Sequence, residues 1–205
     1  MSDIKENMEF SDHPFWDFSI MVHQKQGVHD ACLELQTRCE LDVNLLFFCC
    51  WVGTAGGGRL APEQMATAIQ AVAGWQEEIV RPIWKARWKL KPSYKTFPRE
   101  KTEMLRRSLI RAELNAEHLE QLHLADTIGF TQNPDLSRDV RTSHVVANIF
   151  LYLDMFTRRK KVQLKMPDMA APLLTLVSAC FAQGDKHKTA VLIQEQFSLD
   201  SRIKF

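Results

Sequence analysis

From residue 13 onward, apolar residues recur at steps of three and four, and no stretch alternates in steps of two for long enough to make a strand. That period belongs to helices packed on one side, so the pattern predicts an all-α fold, a compact bundle of about seven to eight helices. The first helix starts at Pro14 behind His13 or Asp12 and carries Phe15, Phe18, Ile20, Met21 and Val22; Gly27 separates it from a second over about Val28 to Cys39. Asp42 then caps the run Val43 to Val52, which is apolar around nearly its whole circumference apart from Asn44. A helix with no polar face belongs in the middle, so 42–52 is expected to be the central element of the core. Gly53 and Gly56-Gly57-Gly58 are expected to end it.

Pro62 opens the next helix, with Met65, Ile69, Val72, Trp75, Ile79 and Val80 on its apolar side, and Pro82 is expected to break or kink it. A short segment to Leu90 follows, and two prolines within 91–98 make that stretch an extended connector. A long amphipathic helix over about Arg99 to Leu124 should bury Met104, Leu105, Leu109, Ala112, Ala116, Leu119 and Leu122. Gly129 to Pro134 breaks the chain again, and further helices are expected over about 139–156, 167–183 and 186–197. The organisation that follows is a loosely ordered 1–12 and one helical domain over 13–205, with a subdivision near 129–135.

The 205 residues, 45% hydrophobic and 25% charged, have the composition of a globular chain. The five cysteines are odd in number, form no C-x-x-C pair and lie mostly in apolar stretches, which fits buried thiols in a reducing compartment. Met1 to Asp12 has no apolar core of the kind a signal peptide needs, and the longest apolar run is far shorter than the ~20 residues that span a bilayer. A cytoplasmic protein without a membrane span is expected.

The formal net charge of +1 hides a strong segregation. Residues 1–80 hold 4 bases and 12 acids (−8), 81–111 hold 11 and 2 (+9), 112–139 hold 1 and 6 (−5), and 140–205 hold 10 and 5 (+5). The total excludes a uniformly basic nucleic-acid wrapper, while the second segment interleaves bases with aromatic residues. Arg81, Trp84, Arg87, Trp88 and Lys91 form a basic and aromatic strip that can hold phosphates or acidic side chains and stack on planar groups. The alternative is that the tryptophans are core and the bases solvate the outside.

A second constellation is a pocket between helices built from Trp16, Asp42, Asn44 and Arg87, since a buried amide such as Asn44 needs polar partners. Glu120 and His123 have the Glu-x-x-His spacing of helical di-iron sites, but no second pair exists, and no metal or cofactor is expected. Gly53 to Arg59 lacks the Gly-Lys-Ser/Thr ending of a phosphate loop and reads as a helix cap. No serine sits in G-x-S-x-G and no cysteine has an obvious neighbouring base, so no catalytic residue is assigned.

Phe15-Trp16-Asp17-Phe18-Ser19, Gly27-Val28, Ala31 to Gln36 and Leu41-Asp42-Val43-Asn44-Leu45-Leu46, continuing through Trp75, Pro82, Arg87 and Lys91, together resemble an uncharacterised family of small helical proteins from proteobacteria. The resemblance runs to about residue 125 and implies a bacterial, cytosolic, all-helical protein, with no activity attached. The function expected is a non-enzymatic binding or regulatory protein that engages an acidic or phosphate-bearing partner, a protein or an anionic ligand, through the strip at 81–91. An enzyme or small-molecule sensor with an inter-helix pocket is the alternative, and nucleic-acid binding is a third.

Overall fold

In the computed structural model, which describes residues 12–91, 96–181 and 186–199, the chain is all-α. The loosely ordered N-terminus expected at 1–12 therefore falls almost wholly outside the described residues, as does the middle of the 91–98 connector. The elements are α1 (Pro14–His23), α2 (Val28–Arg38), α3 (Val43–Thr54), α4 (Pro62–Trp75), a π-helical turn (Gln76–Val80), α5 (Arg81–Lys89), α6 (Arg99–Thr127), α7 (Arg138–Lys160), α8 (Met166–Ala179) and α9 (Lys186–Leu199).

α3 is the centre, buried without interruption from Asn44 to Gly53. Asp42 caps it as expected, its carboxylate accepting from the backbone N–H of Asn44 at 2.9 Å and of Leu45 at 3.3 Å. The helix runs two residues past the expected end, to Thr54, because Gly53 is a contact and not a terminator. A Cβ there would lie 2.6 Å from the Val145 Cγ2 of α7, so only glycine lets the two helices cross so closely. Ala55 is the cap, and the left-handed turn follows at Gly56 with φ +80°, where the Asn133 carbonyl fills the space a side chain would need.

α7 covers α3 along its length, α2 packs on α8, and α9 closes over α8 and α7. Asn148 of α7 ties the loop after α3 to this layer, accepting from the Leu60 N–H at 2.8 Å and donating to the Gly58 carbonyl at 3.1 Å. All five thiols are free and buried in or beside the core. Among the described residues no helix is long and apolar enough to cross a membrane.

The break expected at Pro82 does not occur. In an α-helix the proline ring would collide with the carbonyl four residues back and leave it without a donor. The turn before it opens instead into π geometry, the Arg81 N–H reaching the Gln76 carbonyl, and α4, this turn and α5 follow one another without a non-helical residue between them. The additional residue in that turn advances the helix face by about 100°.

Candidate functional site

α1, α2, α3, α5 and α6 surround a cavity of about 360 Å³, within the range of small-molecule sites. Its apolar walls include Ile20, Leu33, Val43 and Phe47, and Trp16 and Trp84 face it from α1 and α5. Asn44, Arg87, Glu113, Glu117 and Gln121 supply its polar surface.

The polar part is built around Asn44, which is 5% exposed. Its Nδ2 donates to Glu120 Oε2 at 2.9 Å, and its Oδ1 accepts from Gln121 Nε2 at 2.9 Å. With Asn44 donating to Glu120 and accepting from Gln121, the Gln121 carbonyl oxygen is left over. That oxygen is buried and has no hydrogen-bond partner among the described residues.

Behind the chain, Glu120 meets Asp42. Burial raises the pKa of both, and Asp42 raises that of Glu120 further, while two backbone N–H groups and Arg81 act against the rise at Asp42. The Asp42 backbone N–H donates to the Tyr152 hydroxyl at 2.9 Å, linking the pair to α7. Asp42 itself does not reach the large cavity and lines a separate, small recess with Arg81 and Tyr152.

Arg87 grips Glu113 with two hydrogen bonds, through Nε to Oε2 and through Nη2 to Oε1 at 2.9 Å. Both groups are largely buried, and this fork fixes α5 against α6. Glu117, one turn further along α6, has no such partner. Although part of its side chain is reachable from the cavity, it is packed among protein atoms, and burial, with Glu113 and Asp42 adding to it, pushes its pKa up to about 8.

Trp16, Asn44, Trp84 and Arg87 are thus brought to one cavity, with Asp42 directly behind it. Trp16 stacks flat on His118 of α6, ring centroids 4.0 Å apart. Trp84 stacks on Trp88 with 5.7 Å between centroids, but Trp88 is 37% exposed and carries the Lys91 ammonium 4.4 Å over its ring. Arg81 turns to the carbonyl and carboxylate of Glu40. The expected strip is therefore divided, Trp84 and Arg87 facing inward, Trp88 and Lys91 outward, and Arg81 at a different junction.

Glu113, Glu117 and Gln121 were not among the candidate residues. Their spacing of four puts them on one face of α6, but in the sequence a face of acids and amides reads as solvated, and it is the packing of α3 and α5 that turns it inward. Of the apolar stripe expected on this helix Ala116 is buried, but Met104 and Leu105 are more than half exposed, and Glu113, Glu120, Gln121 and Leu124 are buried as well. Glu120 and His123 do not form a metal pair, since Glu120 is buried and His123 exposed.

A family described as "protein of unknown function (DUF2390)" matches residues 14–124. No curated protein and no solved structure matches the chain. The matched region holds every residue that lines the cavity, from Trp16 to Gln121. With more than half of its length matched, the chain belongs to the DUF2390 family.

Proposed function

We propose that the protein binds a small organic molecule in the cavity between α1, α2, α3, α5 and α6, as a sensor, carrier or enzyme. The observation that carries this reading is the convergence of Trp16, Asn44, Trp84 and Arg87, which are far apart in sequence, on one concavity with unsatisfied polar atoms. Gln121 Oε1 lacks a donor and Trp84 Nε1 lacks an acceptor among the described residues. Buried polar groups are rarely left so, and a ligand with matching groups would satisfy them. Five free thiols support a cytoplasmic setting for this activity.

Retention from a metabolite extract tests it. The purified chain is mixed with the extract, re-isolated by gel filtration and analysed by mass spectrometry for bound small molecules. Ile110 is already 38% exposed at the cavity wall, so Ile110→Trp should fold and narrow the entrance. A compound retained by the wild type and lost from the variant is expected; equal retention by both, or none by either, contradicts the reading.

A second reading is carried by Trp88 and Lys91, the cation lying over an exposed ring on the outer face of α5. Together with Lys85 and Lys89 this face suits an acidic protein partner. Charge reversal at Lys85 and Lys89 should then weaken a salt-sensitive complex without changing retention in the cavity, and recovery of every partner unchanged would remove it.

A further inference from the structure

We infer that the ligand of this cavity is an organic cation, a protonated amine on an apolar or aromatic body, with the Glu117 carboxylate as its counter-ion and Gln121 Oε1 as a hydrogen-bond acceptor. The inference rests on the cavity being a ligand site and specifies what it takes.

The charges facing Glu117 decide the sign. From α5 comes Arg87, but both of its hydrogen bonds go to Glu113, so it presents no free fork to an anion. From α3 come Asn44 and, behind it, Asp42, from α2 His29 and Cys32, and from α1 His23. His23 and His29 lie 3.3 Å apart, and burial and the neighbouring ring lower the pKa of His23, so they do not supply a fixed pair of positive charges. Trp84 Nε1 is an unmatched neutral donor in the wall, while the unmatched ionisable group is on the acceptor side. Among the described residues no hydrogen bond or ion pair holds the Glu117 carboxyl, and Gln121, 3% exposed, offers a carbonyl oxygen with no donor.

An ammonium group answers both with its N–H donors, and Trp16 and Trp84 give its apolar body aromatic walls that also attract a cation. With burial holding Glu117 up to about 8, the empty site carries a proton at pH 7. Entry of the ammonium reverses that preference, because an opposite charge nearby favours the carboxylate. The carboxyl proton then passes to solvent, and the ion pair replaces a neutral acid.

Three probes of one shape separate charge from fit: 2-phenylethylamine, 2-phenylethanol and 3-phenylpropionate, titrated calorimetrically into the full chain at pH 7 in two buffers of different ionisation enthalpy. The amine should bind at least ten-fold more tightly than the alcohol or the acid, and its apparent enthalpy should differ between buffers by the release of up to one proton. Glu117→Gln should lose the amine's advantage and the buffer dependence while binding the alcohol as the wild type does, which also shows that the variant is folded. Tighter binding of the alcohol or the acid overturns the cation inference and leaves the cavity reading standing. Unchanged amine binding by Glu117→Gln overturns the assignment of Glu117, and binding of none of the three overturns the inference outright.

Discussion

Glu117 makes the polar interior testable without any ligand, because the fold favours its neutral form. A carboxyl whose pKa rises from 4.5 to about 8 on folding binds its proton more tightly in the native state than in the unfolded one. The stability it contributes is therefore fully present below pH 4.5 and is lost as the pH climbs to about 8. At pH 7 the difference spans about 2.5 pH units, an upper limit of ~3.4 kcal/mol at about 1.36 kcal/mol per unit. The side chain is reachable from the cavity, where water screens it, so about half of that, ~1.5–2 kcal/mol, is expected. Glu117→Gln keeps the shape and stays neutral at every pH. It should be more stable than the wild type by this amount at pH 7, equivalent to a rise of about 3–8 °C in Tm for a chain of this size. The advantage should shrink to near zero at pH 4.5. Urea denaturation followed by tryptophan fluorescence at pH 4.5, 6, 7 and 8 measures it. The Asp42 and Glu120 pair gives both proteins a residual slope in the same direction, so the difference between them isolates Glu117. A difference that does not change with pH, or a variant that loses its advantage as the pH rises, would refute the reasoning.

Arg87→Ala leaves Glu113 buried without its partner and should cost about 2–4 kcal/mol by chemical denaturation, while Arg87→Ala with Glu113→Leu should recover more than half; additive losses would mean the fork is not coupled. Gly53→Ala places a methyl 2.6 Å from Val145 Cγ2 and 2.7 Å from its backbone nitrogen and should cost at least ~2 kcal/mol in thermal denaturation. Gly74→Ala meets nothing within 4 Å and should gain about 0.5–1 kcal/mol, so equal effects at the two sites would contradict the packing described. All five thiols are buried, and burial holds Cys32 up to about 12 and Cys39 up to about 11. A thiol reagent at pH 8 should therefore label the native protein far more slowly than the unfolded chain, and prompt labelling of the native state would contradict this.

The helices were legible wherever apolar period and end signals agreed. α3 is the clearest case, since a run with no polar side has nowhere to go but the middle, and Asp42 marks its start. Asn44 was legible as a candidate for the same reason: one amide inside such a run must be partnered. Its partners were not legible. Glu113, Glu117, Glu120 and Gln121 look like the solvated face of an amphipathic helix, and only the packing of α3 and α5 on α6 turns that face inward. Met104 and Leu105 are exposed in consequence, at the end of α6 beyond this contact. Pro82 marked a real conflict in the chain, but the π turn before it absorbs the clash locally, so the helix is adjusted and not broken. Gly53 shows the converse, a residue that resembles a helix stop and serves a helix crossing.

The five indole N–H signals in an amide NMR spectrum test most directly whether the cavity is a ligand site. Trp16 and Trp84 line it, Trp75 is tied to the Ala116 carbonyl at 2.9 Å, and Trp88 lies on the outer face under Lys91. On addition of 2-phenylethylamine, or of a compound retained from the extract, the account predicts saturable shifts of the Trp16 and Trp84 signals with Trp75 and Trp88 unmoved. Shifts confined to Trp88 would move binding to the basic outer face and contradict it.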